Sequence, residues 1–204
     1  MATRKEQYDA TQAAIIQAGL QLLSQKEAQN VTISEIMRTC GLSSGLFYHY
    51  YKSKDNFIVS LITRTWNENS EILLDETISP VLRPRAYCDA TLHALMDVDP
   101  QLRRNLNAYR MTDAYLHQRE TLFVDDAMFL EIRRFFQNSI DNGVFSPELP
   151  VDFVTNLYVY VVHGIDFNAA LYKRPWAGWD WCAQFYTYIE ENFLIPHLRK
   201  NTEQ

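Results

Sequence analysis

Residues Thr32–Asp55 read TISEIMRTCGLSSGLFYHYYKSKD, a stretch that admits few local folds. Thr32 followed by Glu35 is the pattern of a capping box, in which hydroxyl and carboxylate satisfy each other's exposed backbone amides at a helix start. Ile33, Ile36 and Met37 then share one face of a short helix. Gly41 supplies backbone freedom for the turn, and Leu42 fills the angle that the turn creates. Ser43, a second residue of N-cap type, opens another short helix running to about Tyr50. Two short helices crossing steeply around such a turn form a helix-turn-helix. Upstream, Ile15, Ala18, Gly19, Leu22 and Leu23 recur at three- and four-residue intervals, which predicts a first helix with an apolar stripe for the pair to pack on.

The side chains of the second short helix suit the major groove of DNA. Ser43, Ser44 and the side-chain-free Gly45 allow close approach to base edges, and Leu46 can touch a thymine methyl. Tyr48 and His49 can donate to phosphate or bases, and Lys54 offers a point charge to the backbone. Phe47 and Tyr51 are expected to turn inward. Alone, each residue has an ordinary structural reading: Ser43 as a cap, His49 as a surface residue, Tyr50 and Tyr51 as core.

Charge needs dividing before it can be read. The chain of 204 residues has a net charge of −6, which argues against nucleic acid as a partner. Residues 1–54, however, carry six Lys/Arg and four Asp/Glu, whereas residues 55–204 carry thirteen and twenty-one. Phosphate contact needs a locally positive surface, so the acidic remainder is expected to sit away from the duplex. At 47% hydrophobic residues the chain can bury a substantial core. No apolar run approaches a membrane span, and Met1–Asp9 lacks the apolar centre of a signal peptide. Cys40, Cys88 and Cys182 are too scattered for a metal set or a CxxC pair; they are expected as reduced core residues of a cytoplasmic protein.

With these motifs the chain resembles the TetR family of transcriptional regulators. The family pattern runs from a Thr–Val/Ile helix opening to G-[VL]-S-x-G-x-[LF]-Y-x-[HY]-[FY]-x-[ST]-K-[ED]; here it is Thr32–Ile33 and then GLSSGLFYHYYKSKD from Gly41 to Asp55. The resemblance covers the first quarter of the chain strongly and the rest by general layout. It implies that Thr32 is a cap that also contacts phosphate. Ser43, Ser44, Gly45 and His49 are implied as recognition contacts, with Tyr48 and Lys54 on phosphate. Leu46 departs from the usual Thr or Ser, which exchanges a hydroxyl for an apolar contact. Met37 and Cys40 replace small residues. The implied fold is all-α: an N-terminal three-helix helix-turn-helix DNA-binding domain over 1–54, then a helical effector-binding and dimerisation domain over 55–204.

Beyond Lys54 the pattern continues as helix. A connecting helix carrying Phe57, Ile58, Leu61 and Ile62 is expected to end near Glu76, before the break at Pro80–Pro84. Helices follow over about Arg85–Val98 and, after Asp99–Pro100, through about Arg110. Further helices are expected over Thr121–Asn142, near Val151–Tyr172 and near Trp179–Arg199. In the last two, Val154, Leu157, Val161, Ile165 and Asn168 form one stripe and Cys182, Phe185, Tyr186, Ile189 and Phe193 another, with Gly164 permitting close approach. Two such helices from each subunit can build a four-helix homodimer interface; the same stripes could instead pack within one subunit. A homodimer would present two reading heads to a palindromic operator in double-stranded DNA.

The central region is rich in rings that could line a small-molecule effector pocket: Tyr87, Tyr109, Tyr115, Phe123, Met128, Phe135, Tyr158, His163 and Phe167. Such walls suit an aromatic or apolar ligand, and nearby acidic residues such as Asp113 and Asp166 leave room for a cationic one. The same residues at helical spacing also describe an ordinary core. An enzyme is the first competing reading, with His163 near Asp166 or His93 near Asp97 as acid–base pairs. Neither pair has a nucleophile, cofactor motif or metal set beside it, and His117 belongs to no HExxH motif, so no cofactor is expected. A helical adaptor using the motif for protein contact is the second.

Overall fold

The computed structural model describes residues 3–65, 69–113, 127–171 and 179–199. The protein is all-α: apart from an isolated antiparallel bridge between Phe145 and Leu198, the described secondary structure is helical. It divides into two compact units, residues 1–64 with 98–120, and residues 65–97 with 121–204.

In the first unit, α1 (Arg4–Leu23) starts at a capping box between Thr3 and Glu6. A short 3-10 turn (Ala28–Asn30) leads to α2 (Ile33–Thr39), α3 (Ser44–Phe47) and α4 (Lys54–Thr65). The expected capping box forms at Thr32, whose Oγ1 accepts from the Glu35 amide at 3.2 Å while its own amide donates to Glu35 Oε2 at 3.0 Å. Lys26, whose Nζ lies 2.6 Å from Oε1, and then the hydroxyl and amide of Thr32 hold the Glu35 carboxyl down to about 2. Gly41 is left-handed at φ 72°, and the Leu42 amide donates to Met37 O at 2.8 Å, which closes α2. Ile15, Ala18, Leu23, Ile36, Met37, Phe47, Tyr51, Phe57, Ile58 and Leu61 are buried. Phe47, Tyr51 and Phe57 meet ring to ring at centroid separations between 4.8 and 5.7 Å.

A helix from far along the chain completes this unit. α5 (Arg83–Asp97) belongs to the second unit, and after two residues α6 (Pro100–Arg110) belongs to the first. Asp99 caps α6 by accepting from the Gln101 and Leu102 amides, with Pro100 in the first turn. Buried Asn105 then donates to Leu23 O at 2.6 Å and Lys26 O at 3.0 Å, satisfying carbonyls left open at the end of α1. Tyr109 donates its hydroxyl to Asp55 at the start of α4.

The second unit contains a 3-10 turn (Ser70–Leu74), α5, α7 (Ala127–Asp141), α8 (Val151–Leu171) and α9 (Trp179–Ile189). The expected single helix to Glu76 is therefore not continuous: α4 is described to Thr65, and Ser70–Leu74 is wound as a 3-10 turn. The last helix also departs from expectation. After Ile189 it opens into a π turn (Glu190–Leu194), then a short helical turn Ile195–His197. Phe136 of α7 packs on Phe145 and on Tyr158 of α8, and Tyr158 stacks on Tyr186 of α9 at 5.6 Å and 20°. No described helix is long and apolar enough to cross a membrane.

Candidate nucleic-acid interface

The outer surface of α3 holds side chains that the fold does not use. Ser43 occupies the N-cap position but makes no side-chain cap, contrary to expectation, and Ser43, Ser44 and Gly45 are exposed. An added Cβ on Gly45 would meet nothing within 4 Å, and its backbone is not left-handed. Glycine inside a helix costs about 1 kcal/mol relative to alanine, so a glycine that packing does not require fits the close approach of a partner. Tyr48 is 62% exposed and His49 is exposed beside it. Leu46 is only half-exposed, so it presents less apolar surface than its position suggests.

Two residues expected to contact phosphate also bond within the chain. Lys54 Nζ donates to Ala28 O, Gln29 O and Val31 O at 3.1 to 3.3 Å, so its three donors tie the start of α4 to the 3-10 turn rather than facing solvent. Thr32, which is exposed, donates both its amide and its hydroxyl to the Glu35 carboxylate as part of its cap. Arg38, in the last turn of α2, and Lys52, in the loop after α3, are also exposed, with no ion pair among the described residues. Neither falls on the reading helix, so the motif alone does not mark them. Tyr8 of α1 packs on Tyr50 at 4.6 Å, placing the first helix beside that same loop.

On the second unit, the expected dimer stripes mix two faces. Val154, Ile165, Cys182, Tyr186 and Ile189 are buried within the subunit, which corrects their assignment to an interface. Leu157, Val161, Asn168 and Phe193 are half-exposed, and Gly164 and Phe185 are exposed. Phe153, Tyr160, Leu171, Trp181, Phe185, Tyr188 and Ile195 are each more than half exposed. The outward stripe thus runs Phe153, Leu157, Tyr160, Gly164, Asn168 and Leu171 along α8. It is joined by Trp181, Phe185 and Tyr188 of α9, which share a shallow groove with Gln184. Apolar spacing alone does not separate these faces, because α8 is predominantly apolar.

The candidate effector residues do not gather in one place. Tyr109 lies in the first unit, bonded to Asp55; burial first and then that carboxylate push its hydroxyl above the usual phenol range. Tyr87, Met128, Phe135 and Tyr158 are buried in the second unit, where Tyr158 stacks on Tyr186. His163 and Phe167 are half-exposed on α8, and Tyr115 and Phe123 lie outside the described residues.

Residues 15–61 match the family described as bacterial regulatory proteins, tetR family. The chain is 26% identical over 179 residues to an uncharacterized HTH-type transcriptional regulator, YfiR, of Bacillus subtilis, covering 83% of this chain and 85% of that protein. Its fold is similar to that of a TetR family transcriptional regulator from Pseudomonas syringae pv. tomato, with a TM-score of 0.63 and 13% identity over 94% of this chain and 99% of that one. It is also similar to that of NalD, the secondary repressor of the MexAB-OprM multidrug efflux pump in Pseudomonas aeruginosa, with a TM-score of 0.57 and 14% identity over 96% and 99%. The matched segment contains all of the helix-turn-helix, and these relatives are transcriptional regulators. The chain thus carries a tetR-family DNA-binding segment over residues 15–61 and is similar over most of its length to HTH-type transcriptional regulators.

Proposed function

We propose that this regulator is a cytoplasmic repressor that binds a palindromic operator as a homodimer and releases it when a small molecule occupies the second unit. The observation that carries the reading is the outward apolar face of α8 and α9. Monomeric proteins rarely expose a contiguous apolar patch of this kind. Gly164 lies in the middle of that face, inside a helix, and a Cβ there would meet nothing within 4 Å in its own chain. A second copy related by a two-fold axis is the occupant that matches, since one patch then covers itself and two helix backbones can close at the glycine. Ser43, Ser44, Gly45, Leu46 and His49 are the proposed base-reading contacts, with Tyr48, Arg38 and Lys52 on phosphate. Thr32 and Lys54 support the head from within.

The proposed signal route starts on α5. Only Val98 and Asp99 separate it from α6, and α6 is tied to α1 by Asn105 and to α4 by Tyr109. A ligand that favours a displaced α5 would thus alter the separation of the paired reading helices, provided it binds that conformation more tightly. Replacing Phe185 and Tyr188 with aspartate should leave a folded monomer in sedimentation and lower operator affinity by roughly a hundredfold, because the second half-site is lost. A variant that remains dimeric would contradict the assigned face.

A further inference from the structure

Arg85 sits between two carboxylates and an aromatic ring. Its guanidinium carbon lies 6.0 Å from the centre of the Tyr186 ring, its Nη1 is 3.7 Å from Glu190 Oε2, and its Nε is 3.6 Å from Asp89 Oδ2. Two carboxylates and an aromatic face thus surround one planar cation. Both ion pairs are longer than the roughly 2.7–2.9 Å of a charge-assisted hydrogen bond, so the cation is held loosely. The surroundings also offer more than Arg85 uses. Glu190 Oε1 is buried without a hydrogen-bond partner, and so is the hydroxyl of fully buried Tyr158.

The local charge decides what would fit. Arg85, Asp89 and Glu190 sum to one excess negative charge when all are ionised, and an anionic ligand would face two carboxylates. The cluster is reachable from solvent on one side, since the side chains of Arg85 and Asp89 are 31% and 37% exposed while that of Glu190 is 8% exposed. Glu190 opens the π turn, an irregularity found frequently at functional sites and one that turns this carboxylate inward.

We infer that Arg85 is a tethered stand-in for the effector: the cluster of Asp89, Glu190, Tyr158 and Tyr186 is a subsite for a monocationic, amidine- or guanidine-like ligand that displaces the Arg85 side chain. The inference rests on the effector reading above and specifies its chemistry. Displacement acts directly on α5, the helix proposed to carry the signal. Burial raises the carboxyls of both Glu190 and Asp89, and a second cation would hold them ionised.

Benzamidine, a flat cation, tests this against its neutral counterpart benzamide and the anion benzoate. With the full-length protein, benzamidine should raise the melting temperature and bind at least about tenfold more tightly than the other two. Glu190→Gln should remove most of that preference. Arg85→Ala empties the subsite, so it should bind benzamidine roughly tenfold more tightly than the parent, or recover its melting temperature on adding benzamidine if the substitution destabilises it. Equal binding of benzamide, an unaffected Glu190→Gln variant, or no benzamidine shift in either the parent or Arg85→Ala would overturn the inference. Operator affinity read in the same titration separates the two readings. Benzamidine bound at the cluster without any change in operator affinity would count against the effector route, whereas neutral ligands that release the operator would retain the route and reject the cationic subsite.

Discussion

At Gly19 an added Cβ would stand 2.3 Å from Phe57 Cζ, whereas at Gly45 it would meet nothing within 4 Å. The first glycine is there so that α1 and α4 can close on each other. The second has no such internal cause, and the surface around it holds two serine hydroxyls that the fold leaves unused. Gly19→Ala should therefore lower stability by about 1–3 kcal/mol through overpacking, read as a lower urea midpoint. Gly45→Ala should leave the midpoint equal or raise stability by up to about 1 kcal/mol, yet weaken operator binding roughly tenfold in a fluorescence-anisotropy titration. Full operator affinity in Gly45→Ala would remove that residue from the reading surface. The serine–glycine pattern was legible because small residues at a helix start are informative by type. The unused hydroxyl of Ser43 was not, because whether a cap bond forms depends on coordinates rather than residue identity.

Among the elements, the helix-turn-helix was the most legible. Its caps and turn are local, so Thr32, Glu35 and Gly41 act within a few residues of one another. The role of Lys54 was hidden because its acceptors lie 23 to 26 residues earlier in the chain. Lys54→Met separates the structural reading from the family expectation. It should lower stability by about 1–3 kcal/mol, as three carbonyls lose a charged donor, while the dependence of operator affinity on salt keeps its slope. Unchanged stability with a slope reduced by about one would mark Lys54 as a phosphate contact instead. For α8 the limit is different. Buried Val154 and Tyr158 and exposed Phe153 and Tyr160 are neighbours in a predominantly apolar helix. Periodicity can rotate such a stripe by one position without any loss of fit, and only packing identifies the outer face.

For the molecule as a whole, the charge division is what makes a DNA-reading role compatible with a net charge of −6. The first unit also recruits residues 98–120, so α6 is built into the reading head despite its position in the second half of the first hundred and twenty residues. No local pattern announces this, since Asn105 and Tyr109 find their partners some 50 to 80 residues upstream. The consequence is a head joined to the second unit through more than one chain crossing, one of them the two-residue α5–α6 step. The central claim, that a paired head reads a two-fold operator, is tested most directly by selecting genomic fragments with the purified full-length protein and footprinting the bound sites. The account predicts an enriched palindrome protected over two half-sites, with binding lost in the Phe185 and Tyr188 double aspartate variant. A folded dimer that enriches no fragment at low salt, or that protects a single asymmetric site, would contradict it.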